Sequence, residues 1–137
     1  MSSYPKASNN AEVKNRPITD MFEPGSIFKP ITVAMGLDTG VITPNSTLYS
    51  AGHIKVYDRI IKDSSEAPKG TKTIEDLVAY SGNVGMVVIG SRIDAKVFHN
   101  YLDRVGMGKK TGIDTFAEMS PKLLSLKDLT AVRKSNV

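Results

Sequence analysis

Pro30 sits inside an otherwise helical pattern, and its position constrains this chain more than any other single residue does. Apolar Ile27, Ile31, Ala34 and Met35 recur at the spacing of one helix face, and Gly40 closes the run. A proline in a helix interior removes a hydrogen bond and clashes with the turn before it. In the first turn its missing N–H has no intrahelical partner anyway, so it is tolerated there. The helix must therefore start close to Ser26, which places Ser26 at its N-terminus and Lys29 one turn further on.

The remaining elements read more conventionally. Residues 1–25 are punctuated by Pro5, Pro17, Pro24 and Gly25 and read as irregular, with Met1 to Tyr4 as the end of a strand stopped by Pro5. From Val41 to Gly70 the chain is rich in turn formers. Within it, His53-Ile-Lys-Val56 and Arg59-Ile-Ile-Lys62 flank Tyr57-Asp58 and predict a small hairpin, although Tyr-Asp is not a favoured two-residue turn. Thr73-Ile-Glu-Asp76 has the capping-box pattern and opens a short helix through Ile74, Leu77 and Val78. Ser81-Gly82-Asn83 interrupts it, and a second apolar helix runs from Val84 to about Arg92. Asp94 caps a third helix, with Val97, Phe98, Tyr101, Leu102 and Val105 on one face and Gly106 as its stop. Lys109 to Ser120 is loop, and Leu123, Leu124, Leu126 and Leu129 suggest a final short helix or turn. The expected fold is mainly α with some β (α+β): a helical unit carrying one small hairpin.

Composition narrows the chemistry. The chain has 137 residues, one domain's worth at most, and no cysteine, which excludes disulfide frameworks, zinc ribbons and thiol nucleophiles. The two histidines, His53 and His99, lie far apart in unremarkable contexts, so neither a metal site nor a Ser-His-Asp triad is indicated. No cofactor is implied. The net charge of +4 permits an anionic partner, but no basic stripe interleaved with aromatics marks a nucleic-acid reader. The longest apolar run, Val84 to Gly90, is far shorter than the roughly 20 residues of a membrane span. The N-terminus lacks the apolar core of a signal peptide, so a soluble chain is expected.

The chemistry-bearing pattern is Ser26-Ile-Phe-Lys29. A serine hydroxyl is a poor nucleophile until a base takes its proton. Residues i and i+3 share a helix face, so Lys29 can bring its amine beside Ser26, and a partly desolvated lysine can act as that base. The backbone N–H of Ser26 at a helix start can face a developing oxyanion. Ser-x-x-Lys alone also fits a plain helix cap beside a solvated lysine. Ser81-x-Asn83, some fifty residues on, adds a hydroxyl and an amide that could reach Lys29 and a substrate amide, or could be an ordinary interhelix turn.

Taken together, Arg16 through Pro30 closely resembles the nucleophile segment of penicillin-binding transpeptidases, in particular the monofunctional class B type of cell division, elongation or sporulation. Ser81-Gly-Asn-Val-Gly-Met86 resembles their second motif. Gly106-Met-Gly-Lys-Lys-Thr-Gly-Ile-Asp114, with Glu118, resembles a structural turn that follows it. Lys110-Thr111-Gly112 spells the family's third active-site motif. In the family, however, that motif lies on a strand and further along, and here Ile113-Asp114 follows it in a glycine-rich loop. It reads as the turn.

The resemblance implies that residues 1–137 form a partial transpeptidase domain, the helical subdomain of a penicillin-binding/serine β-lactamase-like fold with its central sheet largely missing. It implies Ser26 as nucleophile, Lys29 as base, Ser81 as proton relay and Asn83 as holder of the substrate amide. The partners implied are a peptidoglycan stem peptide and β-lactams, for a parent anchored in the membrane with its catalytic domain outside the cytoplasm. With one oxyanion donor missing, a loss that costs about 10²–10³ in rate, this chain is expected to acylate at least several hundred-fold slower than that parent. Helix faces left without a sheet suggest a homodimer. A class D β-lactamase or its sensor relative also carries Ser-x-x-Lys, but Glu23-Pro-Gly25 and Asn83 argue against it. A non-catalytic helical interaction module is the alternative of a different class.

Overall fold

The computed structural model describes residues 16–114, 118–119, 122–123 and 125–127. The strand expected at Met1 to Tyr4 lies outside these residues, as do Leu124 and Leu129 of the leucine-rich segment near the C-terminal end. The elements are α1 (Arg16–Thr19), a 3-10 turn (Gly25–Phe28), α2 (Lys29–Asp38), β1 (Thr47–Ser50), β2 (His53–Val56), β3 (Arg59–Lys62), β4 (Gly70–Thr73), α3 (Ile74–Ala79), α4 (Asn83–Arg92) and α5 (Ala95–Arg104).

Pro30 explains how the first long helix begins. With no N–H, it cannot make the α-type bond back to the Ser26 carbonyl. That carbonyl instead accepts the backbone N–H of Lys29, the tighter i to i−3 bond of a 3-10 turn. The α-helix proper therefore starts at Lys29, three residues later than the periodicity suggests, and Ser26 lies in the 3-10 turn that runs into it. Gly25 launches the turn at φ +57°, left-handed backbone that glycine adopts at little cost.

The hairpin forms as its residues predict. His53 pairs with Lys62 and Val56 with Arg59, and Tyr57 takes φ +54° to close the unusual Tyr-Asp turn. A second antiparallel pair was not expected: β1 joins β4, Thr47 opposite Thr73 and Ser50 opposite Gly70, with the hairpin nested between them in sequence. The capping box at α3 is complete. The Asp76 N–H donates to the Thr73 hydroxyl at 3.0 Å, and the Thr73 N–H to the Asp76 carboxylate at 3.0 Å.

The core lies where α2, α3 and α4 meet β1. Met35, Ile42, Leu48, Ile74, Leu77, Ile89 and Ile93 are all buried, and Ile89 is fully so. Two glycines set how closely the helices approach. A Cβ at Gly36 would sit 2.8 Å from Ile89, and one at Gly85 only 2.4 Å from Leu77. Helix α5 packs more loosely, with no buried residue and Phe98, Tyr101 and Leu102 partly covered against the core.

Candidate active site

Two helix ends frame the candidate site. Helix α3 closes with a Schellman arrangement in which the Gly82 N–H reaches the Leu77 carbonyl at 2.9 Å and the Ser81 N–H reaches Val78 at 3.1 Å. The position between them, usually glycine, is Ser81, held at φ +53°. A left-handed backbone costs a residue with a Cβ about 1–2 kcal/mol. The geometry points both Ser81 oxygens at α2. The Lys29 Nζ donates to the Ser81 carbonyl at 2.5 Å and to the Ser81 hydroxyl at 2.8 Å, across 52 residues of sequence.

Ser26 lies one turn before Lys29 and is exposed. The sequence placed the Lys29 amine beside the Ser26 hydroxyl. In the structure the amine's hydrogen bonds go to Ser81 instead, while Ser26 meets Lys29 through its backbone carbonyl. Because residues i and i+3 eclipse in a 3-10 turn, Ser26 and Lys29 still share one edge. Asn83, the first residue of α4, donates its side-chain amide to the Lys62 carbonyl at 2.7 Å, which ties the hairpin to the start of that helix.

The residue that sequence reading missed is Asp63, directly after β3. One carboxylate oxygen accepts the Val84 N–H at 2.8 Å, and the other accepts the Ser50 hydroxyl at 2.6 Å. Before Ser-Ser and at the end of a hairpin, Asp63 reads as a turn residue, and nothing local in the sequence singles it out. An Asp63 carboxylate oxygen also lies close to Gly82, the neighbour of the Ser81 that holds Lys29. Burial lowers the Lys29 amine below the ordinary lysine value, and the Asp63 charge opposes that shift. Burial raises Asp63, but the Ser50 hydroxyl, the backbone N–H groups of Val84 and Asn83 and the Lys29 charge outweigh it and hold it below the ordinary carboxylate value.

Lys110-Thr111-Gly112 lies outside any strand. The Thr111 N–H and hydroxyl both donate to one Glu118 oxygen, at 2.5 and 2.7 Å, so the loop is closed by its own residues. It borders an apolar cavity of about 250 Å³ whose lining includes Pro17, Met21, Phe22, Met107 and Met119.

Residues 1–126 match the family model described as penicillin binding protein transpeptidase domain. Among curated proteins, the chain is 38% identical over 100 residues to a peptidoglycan D,D-transpeptidase FtsI homolog of Chlorokybus atmophyticus, covering 67% of this chain and 15% of that protein. It is 32% identical to peptidoglycan D,D-transpeptidase FtsI of Escherichia coli K12, covering 88% of this chain and 19% of that one. It is 28% identical to stage V sporulation protein D of Bacillus subtilis, covering 98% and 21%. The chain thus spans only about a fifth of the length of these relatives. Among solved structures, the transpeptidase domain of Burkholderia pseudomallei penicillin-binding protein 3 superposes with a TM-score of 0.79 at 29% identity, covering 90% of this chain and 37% of that one. A peptidoglycan glycosyltransferase from Burkholderia ambifaria superposes with a TM-score of 0.80 at 28% identity, covering 91% and 39%.

Proposed function

The chain belongs to the penicillin-binding protein transpeptidase family, and on that premise we propose that it supplies the nucleophile side of a peptidoglycan D,D-transpeptidase site. One observation carries the reading: the Lys29 amine is held by both Ser81 oxygens, one 3-10 turn from Ser26. Lys29 is displaced toward its neutral form by burial, the condition a base needs near neutral pH.

In the proposed reaction the Ser26 oxygen attacks the carbonyl between two D-alanines while Lys29 takes the hydroxyl proton. The resulting oxyanion faces the Ser26 N–H. The C–N bond then breaks, the departing D-alanine amine takes a proton through Ser81, and the peptide stays on Ser26 as an ester. The amine of a neighbouring stem peptide attacks that ester, forms the cross-link and returns the proton to Ser26. Asn83 holds the substrate amide. A β-lactam acylates the same oxygen. Peptidoglycan lies outside the cytoplasm, so the site acts there, on the outer face of the membrane. Among the described residues no helix is long and apolar enough to cross a membrane.

The test is prolonged incubation with a penicillin, followed by digestion and mass spectrometry. The adduct is expected on the peptide carrying Ser26 and is expected to vanish in Ser26→Ala. An adduct that persists in Ser26→Ala, or sits on another residue, would overturn the assignment.

A second element of the proposal is self-association. Met21, Phe22 and Ile27 stand 63%, 69% and 69% exposed around the nucleophile turn, and contiguous exposed apolar surface favours association. We expect a homodimer in sedimentation, and a clean monomer at high concentration would contradict it.

A further inference from the structure

We infer that Asp63 is a positioning residue for the Lys29–Ser81 pair, capping α4 from the end of β3 and setting its charge against the Lys29 amine. The inference rests on the function proposed above for that pair.

Helix α4 begins with Gly82 at its N-cap, which offers no side chain to the helix's first amides. Four N–H groups at a helix start need partners, and leaving one buried without any costs free energy. Asp63, 21 residues away in sequence, supplies the missing acceptor to Val84 at 2.8 Å. Its second oxygen is fixed by Ser50 on β1 at 2.6 Å, and the Ser50 oxygen in turn accepts the Gly52 N–H at 3.0 Å. Ser50 is buried, so this anchor has little freedom. The Asp63 N–H donates to the Gly52 carbonyl at 2.9 Å, which fixes the backbone as well as the side chain. One carboxylate thus ties β1, β3 and α4 together at the turn that presents Ser81 to Lys29.

The placement has an electrostatic consequence. Lys29 on α2 and Asp63 after β3 are the charged groups coupled across this junction. Burial alone would make Lys29 a weak cation, and an opposing carboxylate limits that effect. A capping residue that served only as a scaffold would hold the helix just as well without changing how tightly Lys29 keeps its proton.

The experiment follows the lysine side chains of this chain by carbon NMR across pH, with Lys29 assigned from its loss in Lys29→Arg. Asp63→Asn keeps the shape and an acceptor oxygen but removes the charge. The Lys29 midpoint is expected to fall by about half a pH unit or more, less than the roughly 1–3 units of a close opposite charge because both groups are partly solvated. Coupling between sites is reciprocal. In Lys29→Met, the Asp63 carboxyl midpoint is therefore expected to rise by the same amount. This second arm leaves the anchoring carboxylate intact, so it decides the question if Asp63→Asn does not fold. Midpoints that both stay within about 0.1 unit would overturn the inference, because a nearby charge should move them further. Both are read without substrate, so a failure to acylate Ser26 would sink the functional reading while leaving these midpoints to judge Asp63.

Discussion

Helices α3 and α5 end in the same way, and the residue at the turn distinguishes them. At α5 the Met107 N–H reaches the Leu102 carbonyl at 2.9 Å and the Gly106 N–H reaches Asp103 at 3.1 Å, with Gly106 at φ +83°. At α3 the same two bonds form around Ser81 at φ +53°. Gly106 accepts that backbone freely, whereas Ser81 bears a cost for it. Each turn leads into a motif-like triplet. Ser81-Gly82-Asn83 is gripped from α2 by Lys29, and the backbone at Val84 by Asp63 from just after β3. Among the described residues, Lys110-Thr111-Gly112 is gripped from within its own loop, by Glu118. Strain kept at one turn and relaxed at the other points to the first as the working turn.

Substitution at the first turn should separate function from stability. Ser81→Ala and Ser81→Gly both remove the hydroxyl, and each should slow penicillin acylation by about 10²-fold, the low end for a lost proton-transfer group. Denaturant unfolding should then find Ser81→Gly more stable than Ser81→Ala by about 1 kcal/mol, because glycine relieves the left-handed backbone. Equal stabilities would remove the strain from the account.

Packing beneath that turn gives the next effect. Gly85→Ala would drive a methyl group into Leu77 and should cost about 1–3 kcal/mol in unfolding free energy. In the mirror change at the relaxed turn, Gly106→Ser, the added Cβ meets no atom of the described residues within 4 Å, and the change should cost only the backbone term, about 1 kcal/mol. A larger loss from Gly106→Ser than from Gly85→Ala would reverse the comparison.

The smallest effect concerns pH. Glu118 is held below the ordinary glutamate value by the Thr111 hydroxyl and then the Thr111 N–H. A depressed carboxyl keeps its contacts above the unfolded value and loses them as pH falls through the folded one. The Thr111 amide resonance should therefore stay constant through the usual glutamate range and shift only below it, while the Lys29 resonances hold still. A Thr111 shift centred at the ordinary glutamate value would remove Glu118 as the clasp of the loop.

Much of this was legible in the sequence wherever structure is local. The Thr73–Asp76 capping box, the Asp94 cap, the Gly106 stop and the hairpin between His53 and Lys62 each follow from residues a few positions apart. Pro30 located the start of α2, but its missing N–H also shortened the turn around Ser26, which apolar periodicity cannot show. The β1–β4 pair went unseen because Thr47-Leu-Tyr-Ser50 is short, and its partner lies beyond an intervening hairpin. Ser81 was found as a hydroxyl and missed as a left-handed residue, because serine seldom takes a backbone that glycine adopts freely. Asp63 was invisible for the same physical reason that it is effective. Its partners Ser50, Val84 and Lys29 come from three different elements, and only the fold brings them together.

In the proposed site the lysine held by Ser81, rather than the one in the Lys-Thr-Gly loop, serves the nucleophile. The most direct measurement is the second-order rate of Ser26 acylation by penicillin in Lys29→Ala and Lys110→Ala, side by side with the unaltered chain. Loss of the base should slow Lys29→Ala by about 10²–10⁴-fold. Lys110→Ala should remain within about threefold of the unaltered chain, as expected for an exposed lysine outside the site. A Lys110→Ala rate that collapses while Lys29→Ala stays active would contradict the account.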